Sequence, residues 1–405
     1  MRLAARILRS SAFALLLALA LDCRTGPERL HSASYGGENA PYISESARVL
    51  ERSEAPAHRL ILIGDGGAPL RDDPTLAALH VWAEAAPGHT TVVFLGDNVY
   101  PDGLREEGRQ RARGEAILRQ QIQSTGAAKI FLPGNHDWGF SSRAMLHLHR
   151  LESEESFLEA NAAARVDFAP KRGCPGPAVR RLVSPAAELT RGLTLIAVDF
   201  HWWLLPEGFR PHCGGIGSTS AFVDALEQEL EIHAAENVVV VAHHPLRSGG
   251  PHGGFTRGFW TDIGASAFYR LSGSSLQDLW EPSYAQMVQV VSKALARHPP
   301  LAVAGGHDHS LQLIDGKDTA RLLVVSGAAS AGAITGVTAI DGTLFAHSHP
   351  GFVVFDFYRV NRGADALQVR VVETGRERPV YQLAYELPAA QDGGQSPSWT
   401  ANGDQ

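Results

Sequence analysis

The amino-acid sequence predicts an α/β fold, and two observations carry that expectation. Short apolar runs alternate with stretches of helical periodicity through the middle of the chain, the order of an α/β protein. The 405 residues are 44% hydrophobic and 20% charged, enough apolar side chain for a large core and too little charge for a disordered chain. A formal net charge of -7 lacks the basic excess of a nucleic-acid binder. Three cysteines are too few for a disulfide-built scaffold, and no Cys-x-x-Cys pair occurs, which removes thiolate zinc sites and thioredoxin-like redox motifs. Acidity together with 18 histidines leaves metal chemistry open.

Residues 1–22 read as a signal peptide. Arg2, Arg6 and Arg9 precede an apolar run from Ala12 to Leu21, shorter than the roughly 20 residues a helix needs to span a bilayer. Export is therefore expected, to the periplasm, the exterior or an outer-membrane anchor. Two processing routes compete: cleavage after Ala18-Leu19-Ala20, and lipidation of Cys23, which would attach the protein to a membrane. With Cys23 lipidated, Cys174 and Cys213 remain as an even pair in an oxidising compartment, and a disulfide between them is expected. Residues 23–57 mix Gly, Pro, Ser and charges without periodicity and read as a flexible arm.

From His58 the alternation begins. Strands are expected at Leu60 to Ile63, Thr91 to Leu95, Ile130 to Leu132, Leu193 to Val198, Val238 to Val241, Leu301 to Ala304 and Leu322 to Val325. Helices are expected at Pro74 to Ala86, Arg109 to Ser124, Ala221 to Ala235 and Tyr284 to Arg297. Phe352 to Tyr358, Leu367 to Val372 and Val380 to Tyr385 follow without intervening helices, which predicts antiparallel pairing. Ser141 to Pro185 and Arg247 to Tyr284 read as insertions of the kind that become lids or surface excursions. The catalytic domain is expected over residues 58–388, with a disordered polar tail at 389–405.

Five of the strands run into motifs that offer metal ligands. They are Gly64-Asp65-Gly66-Gly67, Gly96-Asp97-Asn98-Val99-Tyr100, Gly134-Asn135-His136-Asp137, His243-His244-Pro245 and Gly305-Gly306-His307-Asp308-His309. Ligands of α/β sheets bind beyond the carboxyl ends of strands, so a strand-then-ligand order repeated five times predicts one site assembled from distant segments. A Gly-Asp after a strand is by itself most often a turn, and the His307, His309 pair alone is compatible with a hydrogen-bonded loop. The order of all five is the informative feature.

In that order the chain resembles the calcineurin-like metallophosphoesterases, specifically the purple acid phosphatase branch. The branch pattern D-x-G, G-D-x-x-Y, G-N-H-[DE], V-x-x-H and G-H-x-H is met at Asp65-Gly67, Gly96-Tyr100, Gly134-Asp137, Val240-His243 and Gly306-His309. Gly67 stands where most of the superfamily has a histidine, and Tyr100 is present instead, the exchange that separates this branch. The likeness covers about residues 58 to 388 and is to the small, tartrate-resistant enzymes.

The resemblance implies two mixed β-sheets packed as a sandwich flanked by helices, and a binuclear centre of Fe(III) with a divalent Fe, Zn or Mn. It implies that Asp65, Tyr100 and His309 hold one metal, that Asn135, His243 and His307 hold the other, and that Asp97 bridges them. A phenol with a pKa near ~10 ligates as phenolate only beside a strong Lewis acid, which fits Fe(III). The implied reaction is hydrolysis of phosphate monoesters by metal-bound hydroxide. His136 is the family's candidate proton donor, and His252 is a second one. His244 and Asp199 are candidates to orient the ligands, although a solvent-facing ring and an ordinary loop-capping carboxylate are the simpler readings. Trp202 and Trp203 suit either a wall over the substrate or the core, and His347 and His349 belong to no motif. The alternatives are a phosphodiesterase and a catalytically retired surface binding protein. A phosphate ester substrate, no nucleic acid and a monomer are expected.

Overall fold

The computed structural model describes residues 40–44, 54–139, 148–253, 277–279, 281–360 and 364–387. The expected signal peptide, Cys23, most of the arm and the tail lie outside the described residues, as do 254–276 of the second insertion.

Two mixed sheets form the molecule. The first comprises β1 (Tyr42–Ile43), β6 (Ala178–Val183), β7 (Leu193–Ala197), β8 (Asn237–Val241), β9 (Ala302–Gly305), β10 (Leu311–Asp315), β11 (Leu322–Ser326) and β12 (Thr343–His347). Its spatial order is β1-β12-β10-β11-β9-β8-β7-β6. The second comprises β2 (His58–Ile63), β3 (Thr90–Phe94), β4 (Ala128–Phe131), β5 (Val166–Phe168), β13 (Gly351–Val360), β14 (Ala364–Glu373) and β15 (Tyr381–Leu387), in the order β15-β14-β13-β2-β3-β4-β5. Within them β2, β3, β4 and β5 run parallel, as do β7, β8, β9 and β11.

The layering follows from the strand sequences. Side chains alternate across a strand, so a sheet covered on both faces must be apolar at every position. In β2, Leu60 and Leu62 enter the core between the sheets, while Ile61 and Ile63 enter the core under the outer helices. In β8, Val239 and Val241 face inward, and Val238 and Val240 meet the helices on the other side. Helices α1 (Pro74–Glu84), α2 (Gly108–Gln123) and α3 (Leu148–Ala160) cover the second sheet. The helices α4 (Phe200–Leu204), α5 (Thr219–Ile232) and α6 (Pro282–Leu295) cover the first. Each fully buried Leu, Ile or Val contributes about 1.5–3 kcal/mol. Helix starts are encoded locally: Asp73 accepts the amide protons of Thr75 and Leu76 ahead of Pro74, and Ser218 accepts that of Ala221.

The structure refines three readings of the sequence. The arm is pinned where Tyr42 and Ile43 pair antiparallel with Ala346 and Phe345 at the edge of the first sheet. The first insertion is not a surface excursion, since it carries α3 and the edge strands β5 and β6. Trp202 and Trp203 are buried in the core at α4 rather than lining a substrate wall. The bond expected between Cys174 and Cys213 is present. Among the described residues no helix is long and apolar enough to cross a membrane.

Candidate metal centre

The carboxyl ends of β2, β3 and β4 in one sheet meet those of β8 and β9 in the other. Asp65, Asp97, Asn135, His243 and His307 follow these strand ends and are all buried. The two sheets are stitched together here by backbone bonds, Gly64 N–H to Ser326 O at 2.8 Å and Ala329 N–H to Gly64 O at 3.1 Å. Asp65, Asp97 and His307 adopt φ of 62°, 54° and 68°. Left-handed backbone costs a non-glycine residue about 1–2 kcal/mol, and three such residues at one locus mark a place where packing enforces geometry. The Gly of Gly134-Asn135 is needed for contact: a Cβ there would lie 2.2 Å from both the amide nitrogen and Oδ1 of Asp97.

The side chains gather into two clusters. In the first, Tyr100 Oη lies 3.1 Å from Asp65 Oδ1, 3.2 Å from Asp97 Oδ2 and 3.0 Å from His309 Nε2. In the second, Asn135 Oδ1 lies 2.9 Å from His243 Nε2 and 3.0 Å from His307 Nδ1. Asp97 joins them, because its other oxygen, Oδ1, is 3.4 Å from His243 Nε2. Asp65, Asp97 and His309 have ligand atoms close enough to hold one ion together.

The outward nitrogens of the three imidazoles settle which nitrogen of each faces the centre. His243 Nδ1 bonds Leu95 O at 2.8 Å, His307 Nε2 bonds Gln277 O at 3.0 Å, and His309 Nδ1 bonds Ala333 O at 2.6 Å. A carbonyl only accepts, so each of these nitrogens carries a proton. The opposite nitrogen of each ring faces the cluster, and it offers its lone pair to a metal once it carries no proton, the arrangement that orients metal-ligating histidines.

The electrostatics suit a cation. Burial, then the charges of Asp65 and Asp97, push the Tyr100 phenol well above its ordinary value. Burial opposes a proton on His309, yet the Asp65 carboxylate outweighs it and brings the ring up to about 9. Burial likewise opposes the charge on Asp97, and the neighbouring His243 and His136 overcome it and hold its carboxyl low. Carboxylate, imidazole, amide and phenol donors converging in a buried site fit a pair of metal ions.

His136 and His252 flank the clusters. The His136 amide donates to Asp97 Oδ1 at 2.9 Å, its ring Nδ1 donates to Pro101 O, and its Nε2 is 3.8 Å from Asp97 Oδ2. His252 bonds Asp278 Oδ1 through Nδ1 at 2.7 Å and lies over His307 with ring centroids 4.0 Å apart. His244 is buried rather than solvent-facing, bonding Gln277 Oε1 at 2.6 Å beside His307. Asp199 touches none of the proposed ligand rings. It caps α4 by accepting from His201 N and also accepts from Trp138 Nε1, so the simpler reading holds. His347 is buried against Glu373 at the end of β12, and His349 stacks beside it.

Sequence reasoning missed the supports. Asp137 accepts from the amides of Gly134, Asn98 and Val99, tying the Asn135 and Asp97 loops together. Its motif position was visible, its role was not. Glu154 of α3, fully buried, accepts from Asn98 Nδ2 at 3.0 Å and hydrogen-bonds Asp137. Nothing in the sequence marks it. Gln277 and Asp278 were equally silent, because their partners lie far along the chain.

Two solved structures are similar to the chain to different degrees. GAP50, described as the anchor in the inner membrane complex of Plasmodium, is 15% identical, with a TM-score of 0.50 over 82% of this chain and 90% of that one. The calcineurin-like phosphoesterase YfkN from Bacillus subtilis is 10% identical, with a TM-score of 0.33 over 82% and 90%. The first likeness shows a shared fold and nothing of activity, and the second is too distant to carry an argument. No family model matches the chain, and no curated protein matches it.

Proposed function

We propose that the chain is a metal-dependent phosphoesterase of the calcineurin-like group, and specifically an exported acid phosphatase of the purple type acting on phosphate monoesters. One observation carries this reading: two donor clusters share Asp97, and every imidazole in them is turned inward by a backbone carbonyl. Asp65, Tyr100 and His309 would hold one ion, Fe(III), and Asn135, His243 and His307 a divalent Fe, Zn or Mn, with Asp97 between them. When bound, such a pair supplies Lewis-acid neutralisation of the phosphate and an activated water.

The protein's own groups supply the rest. His136 keeps a proton on Nδ1 through Pro101 O, which leaves Nε2, on the Asp97 side, as the nitrogen that would take a second proton from water and, from the imidazolium so formed, pass it to the departing alkoxide, the ring returning to its neutral form. Asp278 holds His252 against His307, so that this ring stands ready to orient the phosphate or serve as a second donor. An acidic chain of net charge -7 then draws an anionic substrate through its metals rather than through basic side chains.

The anchor described for GAP50 raises a second, non-catalytic reading. A retired site would be expected to have lost a donor, and every residue of both clusters is present. Purified protein analysed for metal and assayed with p-nitrophenyl phosphate and its bis ester discriminates the readings. Two metals per chain with faster monoester turnover supports the proposal. Faster turnover of the bis ester makes it a phosphodiesterase, and no metal with no turnover makes it a binding protein.

A further inference from the structure

Gln277 sits among three imidazoles, those of His307, His244 and His201, and the proposed chemistry gives it no role. Its backbone carbonyl accepts from His307 Nε2 at 3.0 Å. Its side-chain amide spans two further rings, His244 Nε2 at 2.6 Å from Oε1 and His201 Nδ1 at 3.1 Å from Nε2. All three rings are buried, and Gln277 itself is 6% exposed. The residue adopts φ of 53°, a left-handed backbone for a side chain with no intrinsic preference for it. Something must hold it there. Two side-chain bonds to fixed rings do so, and the next residues add anchors: Asp278 Oδ1 to His252 Nδ1 at 2.7 Å, and Leu279 N–H to His252 O at 2.8 Å.

The carbonyl direction of Gln277 therefore depends on its own amide grip. We propose that Gln277 is a positioning residue for the second metal, in which the His201–Gln277–His244 bridge aims the Gln277 carbonyl at His307 and so fixes the tautomer and angle of that ligand. The inference rests on the metal-centre reading above. It differs from the other two imidazoles in a way that can be measured: Leu95 O and Ala333 O act on His243 and His309 without any contribution from Gln277. Loss of its amide should disturb one metal position only.

The test is calorimetric titration of metal-free protein with Zn2+ or Mn2+, comparing wild type with Gln277→Leu. Partners behind a ligating histidine are worth about 10- to 100-fold in metal affinity, so one of two binding events should weaken by that factor while the other keeps its affinity. Affinities at both positions unchanged from wild type overturn the inference. A purely structural role would instead lower the melting temperature and weaken both events together, which also overturns it. Fewer than two metals bound by wild type would sink the metal-centre reading itself. Should the variant not fold, 15N-histidine NMR of metal-free wild type decides: His307 is expected to carry its proton on Nε2, and a proton on Nδ1 overturns the inference.

Discussion

Tyr100 Oη lies 3.2 Å from Asp97 Oδ2, on the side of that carboxylate turned away from His243, and 3.1 Å from Asp65 Oδ1, so its single proton is held between two carboxylates. The phenol is thus protonated in the metal-free cluster, and it can bind a metal as phenolate only by giving that proton up. Loading the site should release about one proton more from wild type than from Tyr100→Phe, measured by calorimetry in two buffers of different ionisation heat. The loaded wild type should also show a visible tyrosinate-to-Fe(III) band that Tyr100→Phe lacks. A colourless, fully active wild type with two divalent ions rejects the iron assignment.

His136 is bound to the site by its backbone amide and lies edge-on to Tyr100 with ring centroids 4.7 Å apart, while its Nδ1 is turned to Pro101 O and its Nε2 stands 3.8 Å from Asp97 Oδ2. His136→Ala should keep two metals per chain while turnover drops about 10²- to 10⁴-fold, the range of a lost general acid. Loss of metal in parallel with activity would make the ring structural.

How much of this was legible in the sequence differs by residue. Asp65, Asp97, Tyr100, Asn135, His307 and His309 were readable because each follows an apolar strand at a glycine-marked exit, and His243 because it follows the apolar run of β8 directly, through Ala242; both are local signals. The sheets were half readable: β2, β3 and β8 announce themselves as unbroken apolar runs, whereas β6, with sequence AVRRLV and partly exposed residues, looks like surface. Gln277 and Glu154 were invisible because their significance is a distance. Gln277 meets His201 across 76 residues and Glu154 meets Asn98 across 56, and neither pairing leaves a spacing to detect.

Glu154 gives a test of such a hidden support. Burial first, and the Asp137 charge second, push its carboxyl well above the ordinary range, so it is a neutral acid able to donate to Asp137 while accepting from Asn98. A glutamine reproduces both roles and should change unfolding free energy by less than about 1 kcal/mol, whereas Glu154→Leu takes one buried partner from Asn98 and one from Asp137, each of which keeps its other bonds, and should cost about 1–3 kcal/mol in all. Urea unfolding measures both. A glutamine variant as unstable as the leucine one would mean that Glu154 acts as an anion.

The Cys174–Cys213 bond joins residues 39 apart and ties the segment before β6 to the one before α5. Closing a loop of that length restricts the unfolded chain by about 4 kcal/mol in the chain-entropy treatment. Replacing both cysteines by serine should lower stability by that order, and a reducing agent should lower wild-type stability to the same level. A stability unchanged by both treatments would show that the bond does not form in solution.

His58 opens β2 and bonds Thr91 Oγ1 at 3.2 Å, and burial, helped by His89, lowers its pKa from 6.5 to about 4. The folded state therefore keeps this ring neutral at pH values where the unfolded chain protonates it. Between those two values the unfolded chain binds more protons, so stability must rise with pH across the window and fall as pH drops from 6.5 towards 4. The shift corresponds to about 3 kcal/mol. His58→Gln cannot titrate, so the stability of wild type relative to this variant should decline by that order between pH 6.5 and 4 and then level off. A difference independent of pH would show that the ring is reached by water in the folded protein and is not part of the sealed face of β2.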